Sequence, residues 1–191
     1  MDRRVIQTER LDLISFTPAF MRASLRRDRA EAERLLGVPL PADWPGECER
    51  LLTMRLGQID EDPAVGPWLV RAMVLRDERA MVGNIGFHTA PNPDYLLPYS
   101  PGAVEFGFSV DEPYRRCGYA REASLAMMRW AHGVHGVTKF IMTISPENVA
   151  SQSLAAGLGF VRIGSHIDEV DGLEEILEYR VVDGRIGGVA V

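Results

Sequence analysis

A single α+β domain built on a mixed sheet is what this sequence predicts, and three adjacent stretches predict it. Between 103 and 110 the apolar Val104, Phe106, Phe108 and Val110 alternate with Glu105, Gly107 and Ser109, the period of a half-buried strand. Behind them Ala123, Met127, Trp130, Ala131 and Val134 recur at helical spacing, one face of a helix against a sheet. Lys139 to Ser145 is then almost continuously apolar, as a central parallel strand would be. At 191 residues the chain suits one domain over 1–191.

The remaining elements follow in order. Leu11 to Phe16 alternates like a first strand. Thr17-Pro18 is an N-cap and first-turn proline, and the helix it opens runs to Gly37, a C′ glycine. Asp43 and Pro45 open a second helix ending near Asp60, before Pro63. Trp68–Leu75 and Ala80–Phe87 read as strands around a hairpin loop at 76–79. From His88 to Gly102 four prolines, Tyr95, Leu96, Leu97 and Tyr99 follow no period. So long a loop inside a domain points to a substrate wall, a dimer contact or a packed loop. A short helix spans Asn148 to Leu158, stopped by Gly159, and 160–167 with 174–182 close the chain as a hairpin.

Composition excludes several function classes. The net charge of −6 argues against a nucleic-acid backbone binder. No apolar run reaches the roughly 20 residues of a membrane span. The start of the chain carries no apolar signal stretch, and Cys48 and Cys117 allow one disulfide at most, so a cytoplasmic protein is expected. Acids crowd 165–183 (Asp168, Glu169, Asp171, Glu174, Glu175, Glu178, Asp183) against Arg180 alone. That run reads as a solvated face or as an attraction for a cationic substrate.

Arg115-x-x-Gly118-x-Ala120 lies between a strand and a helix, where backbone N–H groups and the positive end of a helix dipole converge. Gly118 permits a tight turn, and Ala120 leaves the helix start uncrowded. A diphosphate fits such a place. The pattern is short enough to arise by chance in a chain rich in these residues, so its position gives it weight.

Three segments, Val-Glu-Phe-Gly-Phe-Ser-Val (104–110), Tyr-Arg-Arg-Cys-Gly-Tyr-Ala (114–120) and Glu-Asn-Val-Ala-Ser-Gln-Ser-Leu-Ala-Ala-Gly-Leu-Gly-Phe (147–160), together resemble the GNAT superfamily of acyl-CoA-dependent N-acyltransferases. The opening Thr-Glu-Arg-Leu-Asp-Leu (8–13) is similar to the branch containing ribosomal-protein N-terminal acetyltransferases of the RimJ/RimL type. The resemblance implies a mixed, mostly antiparallel sheet of about seven strands with about four helices, splayed at the cofactor cleft. It implies acetyl-CoA as acyl donor, held by the loop residues Arg115, Arg116, Cys117, Gly118, Tyr119 and Ala120. It implies pantetheine pairing along Phe108 to Val110, with one N–H polarising the thioester carbonyl. Asn148 would bind the pantetheine arm or a water. The acceptor would be a primary amine of a protein N-terminus or a small molecule, attacking directly.

Within that resemblance Glu105 is the candidate general base and Ser151 the candidate proton donor to the thiolate. As ordinary structure they would be a solvent-facing strand glutamate and a first-turn helix serine. Many members of the superfamily carry a tyrosine acid where this chain has Ala155. That keeps alive a non-catalytic acyl-CoA-binding module; a P-loop or Rossmann reading lacks its lysine and ribose-binding acid. No metal is expected, since His132-x-x-His135 has no third ligand. His88 and His166 stand at strand ends without an assigned role, and the apolar loop is compatible with a homodimer.

Overall fold

The computed structural model describes residues 5–168 and 172–190. They fall into two compact units interleaved along the chain. One takes the chain up to Gly86 together with Phe108–Ala123; the other takes Phe87–Gly107 and the chain from Ser124 onward.

In the first unit, strands β1 (Val5–Gln7), β2 (Leu11–Ser15), β3 (Arg71–Leu75) and β4 (Met81–Phe87) pair antiparallel in chain order. Helices α1 (Pro18–Leu25), α2 (Arg29–Leu36) and α3 (Glu49–Glu61) lie between β2 and β3 in the chain. The sequence predicts one helix from Thr17 to Gly37, and the structure has two. Thr17 caps α1 through the Phe20 amide as expected, but Arg27 adopts φ 58° and Asp28 starts α2 by accepting from the Glu31 amide. An Asp that caps a new helix outcompetes continuation of the old one. Gly37 ends α2 with φ 83°.

The helix expected from Asp43 begins six residues later, at Glu49, behind a 3-10 turn over Gly46–Cys48. Pro63 opens a further 3-10 stretch through Trp68, so β3 starts at Arg71 and not at Trp68. The core of this unit contains Leu11, Leu13, Phe16, Phe20, Met21, Leu52 and Met73. Trp44 packs on the rings of Phe16 and Phe20 and donates its indole N–H to Ser24. Gly83 has no substitute: a Cβ there would lie 2.1 Å from the Ser109 carbonyl oxygen.

The second unit contains the start of β5 (Val104–Val110) and most of α4 (Tyr119–His135). It also contains β6 (Lys139–Ile144), α5 (Val149–Leu158), β7 (Val161–Asp168) and β8 (Gly172–Arg180). The strand order is β5-β6-β8-β7. β5 runs parallel to β6, pairing Val104 with Phe140 and Glu105 with Ile141, and the other pairs are antiparallel. The parallel step and the closing hairpin are both as predicted. A short ribbon of β9 (Arg185–Ile186) and β10 (Val189–Ala190) follows.

On α4, Ala123, Met127 and Ala131 are buried as predicted. Val134 is 65% exposed, because it falls in the last turn before Gly136 (φ 70°) leaves the helix. Ser124 and Met128 complete the buried stripe instead. The proline-rich segment is pinned. Leu96 is buried with Ala103, Ile141 and Ile176, the Ser100 hydroxyl donates to Glu178, and Lys139 Nζ donates to the Pro101 carbonyl at 2.9 Å. Tyr95, Leu97 and Tyr99 keep large exposed areas.

The acidic run is not one solvated face. Glu169 and Asp171 lie outside the described residues. Glu178 is buried between Ser100 and Arg180, and Glu175 pairs with Arg162 at 3.1 Å. Carboxylates already engaged in this way give little reason to prefer cationic acceptors. No helix among the described residues is long and apolar enough to cross a membrane.

Candidate active site

The candidate residues fall in three places, one in the first unit and two in the second. In the first unit the chain leaves β5 at Val110, makes a 3-10 turn over Glu112–Tyr114, and enters α4 at Tyr119. Two left-handed residues shape the turn: Arg116 (φ 61°) and Gly118 (φ 83°). Successive amides in such a turn can point to one side, and the first N–H groups of a helix have no carbonyl before them to bond. Arg115 folds its side chain back, its Nε donating to the Val110 carbonyl at 2.9 Å, so the arginine ties strand end to loop. Cys117 is exposed, with its Sγ 3.5 Å from the Arg115 carbonyl.

Arg10, to which the sequence reading gives no role, supports this loop. Its Nη1 donates to the Cys117 carbonyl at 3.0 Å, and its Nε donates to Glu122 Oε2 at 2.7 Å. The guanidinium stacks 4.7 Å from the centre of the Tyr119 ring. Thr8 and the Arg10 amide also donate to Glu122. Burial would raise the Glu122 pKa, but the bonds from Thr8 and Arg10 outweigh it and hold the carboxyl below its ordinary range. The Thr8-Glu-Arg10 segment thus braces the first turn of α4. A Cβ on Gly118 would meet Arg10 Nη2 at 3.3 Å, besides the strain of its φ. The turn therefore presents exposed backbone at the start of a helix, a place that suits an anionic group.

The second place is Glu105. The alternation puts it on the polar face of its strand, yet it is only 4% exposed. Thr143 from β6 donates to its Oε1, His88 Nδ1 lies 3.2 Å from its Oε2, and the Tyr95 hydroxyl donates to the carboxylate as well. Burial pushes this carboxyl up, but His88, Thr143 and Tyr95 together hold its pKa below the ordinary value. Glu105 is an anion at neutral pH. Gly107, two residues on and on the same face, leaves space that the His88 ring uses: a Cβ there would stand 3.0 Å from His88 Nε2. The opposite face carries Phe106, packed against Phe87 and Phe160.

Asn148 and Ser151 lie at the start of α5. Asn148 is the N-cap, its Oδ1 accepting from the Ser151 amide at 3.1 Å. Its side-chain oxygen therefore already has a helix-capping partner. Ser151 is half-buried in the first turn, and Ala155 is fully buried further along the same helix. Gln152 reaches the Ile144 and Ser145 carbonyls and Glu175.

Of the residues left uncommitted by sequence, His88 joins the Glu105 centre, and His166 lies 3.7 Å from Glu174. His132 Nδ1 contacts the Val137 carbonyl oxygen at 2.9 Å, and His135 packs edge-on to Trp130. Burial, with Asp111, Glu47 and Asp43 nearby, pushes the Cys48 thiol up to about 11, unsuited to nucleophilic work. Among the described residues no three His, Cys, Asp or Glu side chains gather as metal ligands.

Comparison with known proteins places this geometry in a family. Residues 10–161 match the acetyltransferase (GNAT) domain. The chain is 26% identical over 161 residues to the uncharacterized N-acetyltransferase YjdG of Bacillus subtilis, covering 82% of this chain and 89% of that protein. It is 24% identical over 177 residues to the FsC-acetyl coenzyme A-N(2)-transacetylase of Aspergillus fumigatus, covering 89% and 72% respectively. Among solved structures, the ribosomal-protein-S5-alanine acetyltransferase of Vibrio fischeri has the same fold. Its TM-score is 0.61 at 16% identity, over 95% of this chain and 98% of that one.

Proposed function

The chain belongs to the acetyltransferase (GNAT) family, and from that premise we propose that it transfers an acetyl group from acetyl-CoA to a primary amine by direct attack. The observation that carries the proposal is the turn between β5 and α4, where Arg116 and Gly118 adopt left-handed conformations just before a helix N-terminus. The amides of Arg115, Arg116, Cys117, Gly118, Tyr119 and Ala120 would hold the CoA diphosphate. The backbone of Phe108 to Val110 would take the pantetheine as an added strand, one N–H polarising the thioester carbonyl. Asn148, with its oxygen spent on the helix cap, would offer its amide nitrogen to the pantetheine arm.

Glu105 would serve in removing the amine's proton, and Ser151 would donate to the departing thiolate. A thiol of pKa about 8.5 leaves without strong acid help, so Ala155 in place of a tyrosine does not forbid turnover. The family match runs from residue 10 to 161, through both compact units, which supports one catalytic domain over 1–191. One relative is named an FsC-acetyl coenzyme A-N(2)-transacetylase and one fold neighbour a ribosomal-protein-S5-alanine acetyltransferase, and the acceptor would be a primary amine of a protein N-terminus or of a small molecule. The protein would work in the cytoplasm, where acetyl-CoA is made available, alone or as a homodimer.

The test is thiol release from acetyl-CoA in the presence of a panel of amines: spermidine, aminoglycosides, and peptides beginning with Ala, Ser or Met. Release that depends on one of the amines supports the proposal. Tight acetyl-CoA binding with no release against any amine would leave the second reading, a binding module without turnover, which the buried Ala155 favours.

A further inference from the structure

The Glu105 centre has a second member whose placement bears on the chemistry. His88 follows β4 directly, and its amide donates to the Glu105 carbonyl at 2.9 Å, so the two residues stand side by side on neighbouring backbones. The imidazole then spans two positions of β5. Its Nδ1 lies 3.2 Å from Glu105 Oε2, and its Nε2 stands over Gly107, where a Cβ would come within 3.0 Å. The ring is about one-third exposed, whereas Glu105 is almost fully buried. A carboxylate bonded at one ring nitrogen fixes the tautomer, with Nδ1 carrying the proton and Nε2 carrying a lone pair.

Glu105 itself is badly placed to take a proton. Thr143, Tyr95 and His88 all donate to it, and a group stabilised as an anion by three donors is a weak base. We propose that His88 is the group that receives the amine's proton, at Nε2, and that Glu105 is a positioning residue that holds the imidazole over Gly107. This rests on the acetyl-transfer reading above and sharpens it.

The ammonium gives one proton to His88 Nε2. The freed lone pair forms the bond to the thioester carbon. The C–S bond breaks as the tetrahedral adduct collapses; the Ser151 hydroxyl gives its proton to the thiolate and takes up the second N–H proton in its place. One ammonium, one acetyl-CoA and neutral His88 become one amide, one thiol and a histidinium, which solvent then deprotonates. Gly107 immediately precedes Phe108, where the proposed thioester strand begins. Glu105 on β5 faces the ring, and Tyr95 from the proline-rich segment donates to the same carboxylate.

The test has an arm that needs no acceptor. Long-range proton–nitrogen NMR on protein labelled at histidine nitrogens, with His88→Gln to assign the signal, reads the tautomer. We expect neutral His88 to carry its proton on Nδ1 in the wild type and to lose that preference in Glu105→Gln. Proton on Nε2 in the wild type overturns the proposal. The second arm uses acetyl-CoA and whichever panel amine releases thiol. His88→Ala should lower kcat/KM by about 10²-fold or more, with acetyl-CoA affinity within twofold. Added imidazole should restore part of kcat, and the acid limb of the pH profile should vanish and return with it. Gly107→Ala, which displaces the ring without removing it, should also lower kcat. His88→Ala within threefold of wild type while Glu105→Gln is impaired would return the base role to Glu105. A wild type that releases no thiol with any amine would overturn the acetyl-transfer reading itself, and the histidine proposal with it.

Discussion

The turn that enters α4 and the centre around Glu105 are made of different material. The turn presents backbone: two left-handed residues and the first amides of a helix, braced from behind by Arg10. The Glu105 centre presents side chains, and its four members come from four separate parts of the chain: His88 after β4, Tyr95 in the proline-rich segment, Glu105 on β5 and Thr143 on β6. Backbone sites are written locally, because one short segment both forms the turn and supplies the donors. Side-chain sites depend on which strands become neighbours. The first can be read from a motif, and the second only after the fold is known.

The comparison can be broken by substitution, because the two places should fail in different observables. The largest effect is expected at Glu105. Glu105→Gln keeps the shape but removes the anion that orients His88, so it forfeits up to the whole of base-assisted proton removal, which contributes about 10²–10⁴-fold. Steady-state kinetics with an active amine should show kcat/KM falling by that range, with acetyl-CoA affinity unchanged. A variant within threefold of wild type would mean that side chains matter no more here than at the turn.

Next comes Gly118→Val. A branched side chain at φ 83°, crowding Arg10 Nη2, should distort the turn. Calorimetric titration should show acetyl-CoA binding weakened at least tenfold, about 1.4 kcal/mol. Arg116→Gly is the matching control. It removes a side chain but suits φ 61°, so the turn should survive and affinity should drop far less than in Gly118→Val. If both variants lose equally, the arginine side chain holds the phosphates and the turn is not a backbone site.

Smaller still is Asn148→Ala. The N-cap bond to the Ser151 amide is worth about 1 kcal/mol, which denaturant melts would register as lost stability. A loss of acetyl-CoA affinity beyond threefold on top of it would show that Asn148 reaches the pantetheine as well as the helix.

What the sequence made legible follows the same division. Thr17, Gly37, Asn148 and Gly159 mark helix ends through local chemistry, and each stands where its residue type predicts. The long apolar run of β6 announced a parallel neighbour, and Glu105 pairs with Ile141 in that register. The failures are cases where two local signals compete or a distant one decides. Asp28 breaks a helix that the start signal at Thr17-Pro18 and the stop signal at Gly37 would make continuous. Glu105 alternates like a surface residue but is buried, because Thr143, Tyr95 and His88 satisfy its oxygens. Arg10 lies more than a hundred residues from the loop it braces, and no spacing rule connects them. His88 was visible only as a histidine at a strand end.

The smallest expected effect is one of pH, and it tests whether the donors around Glu105 matter in the folded protein before any substrate is present. Burial pushes the Glu105 carboxyl up and its three donors push it down, with the donors prevailing, so its pKa is lower folded than unfolded. Unfolded, a glutamate titrates near 4.3. Above that value both states hold the anion, and the donors contribute their full stabilisation. As pH falls past 4.3 the unfolded chain takes up the proton first, so the unfolded state gains and stability declines, until pH passes through the folded pKa and the contribution is gone. Glu105→Gln has no such titration. Urea melts of both proteins between about pH 3 and 7 should therefore show a stability difference that is flat in the upper half of the range and shrinks below about pH 4.3. A difference that stays constant to the bottom of the range would mean that burial and the donors cancel, and one that widens as pH falls would mean that burial outweighs them. Glu105 would then have a raised pKa, and the case for passing the proton to His88 would lose its electrostatic support.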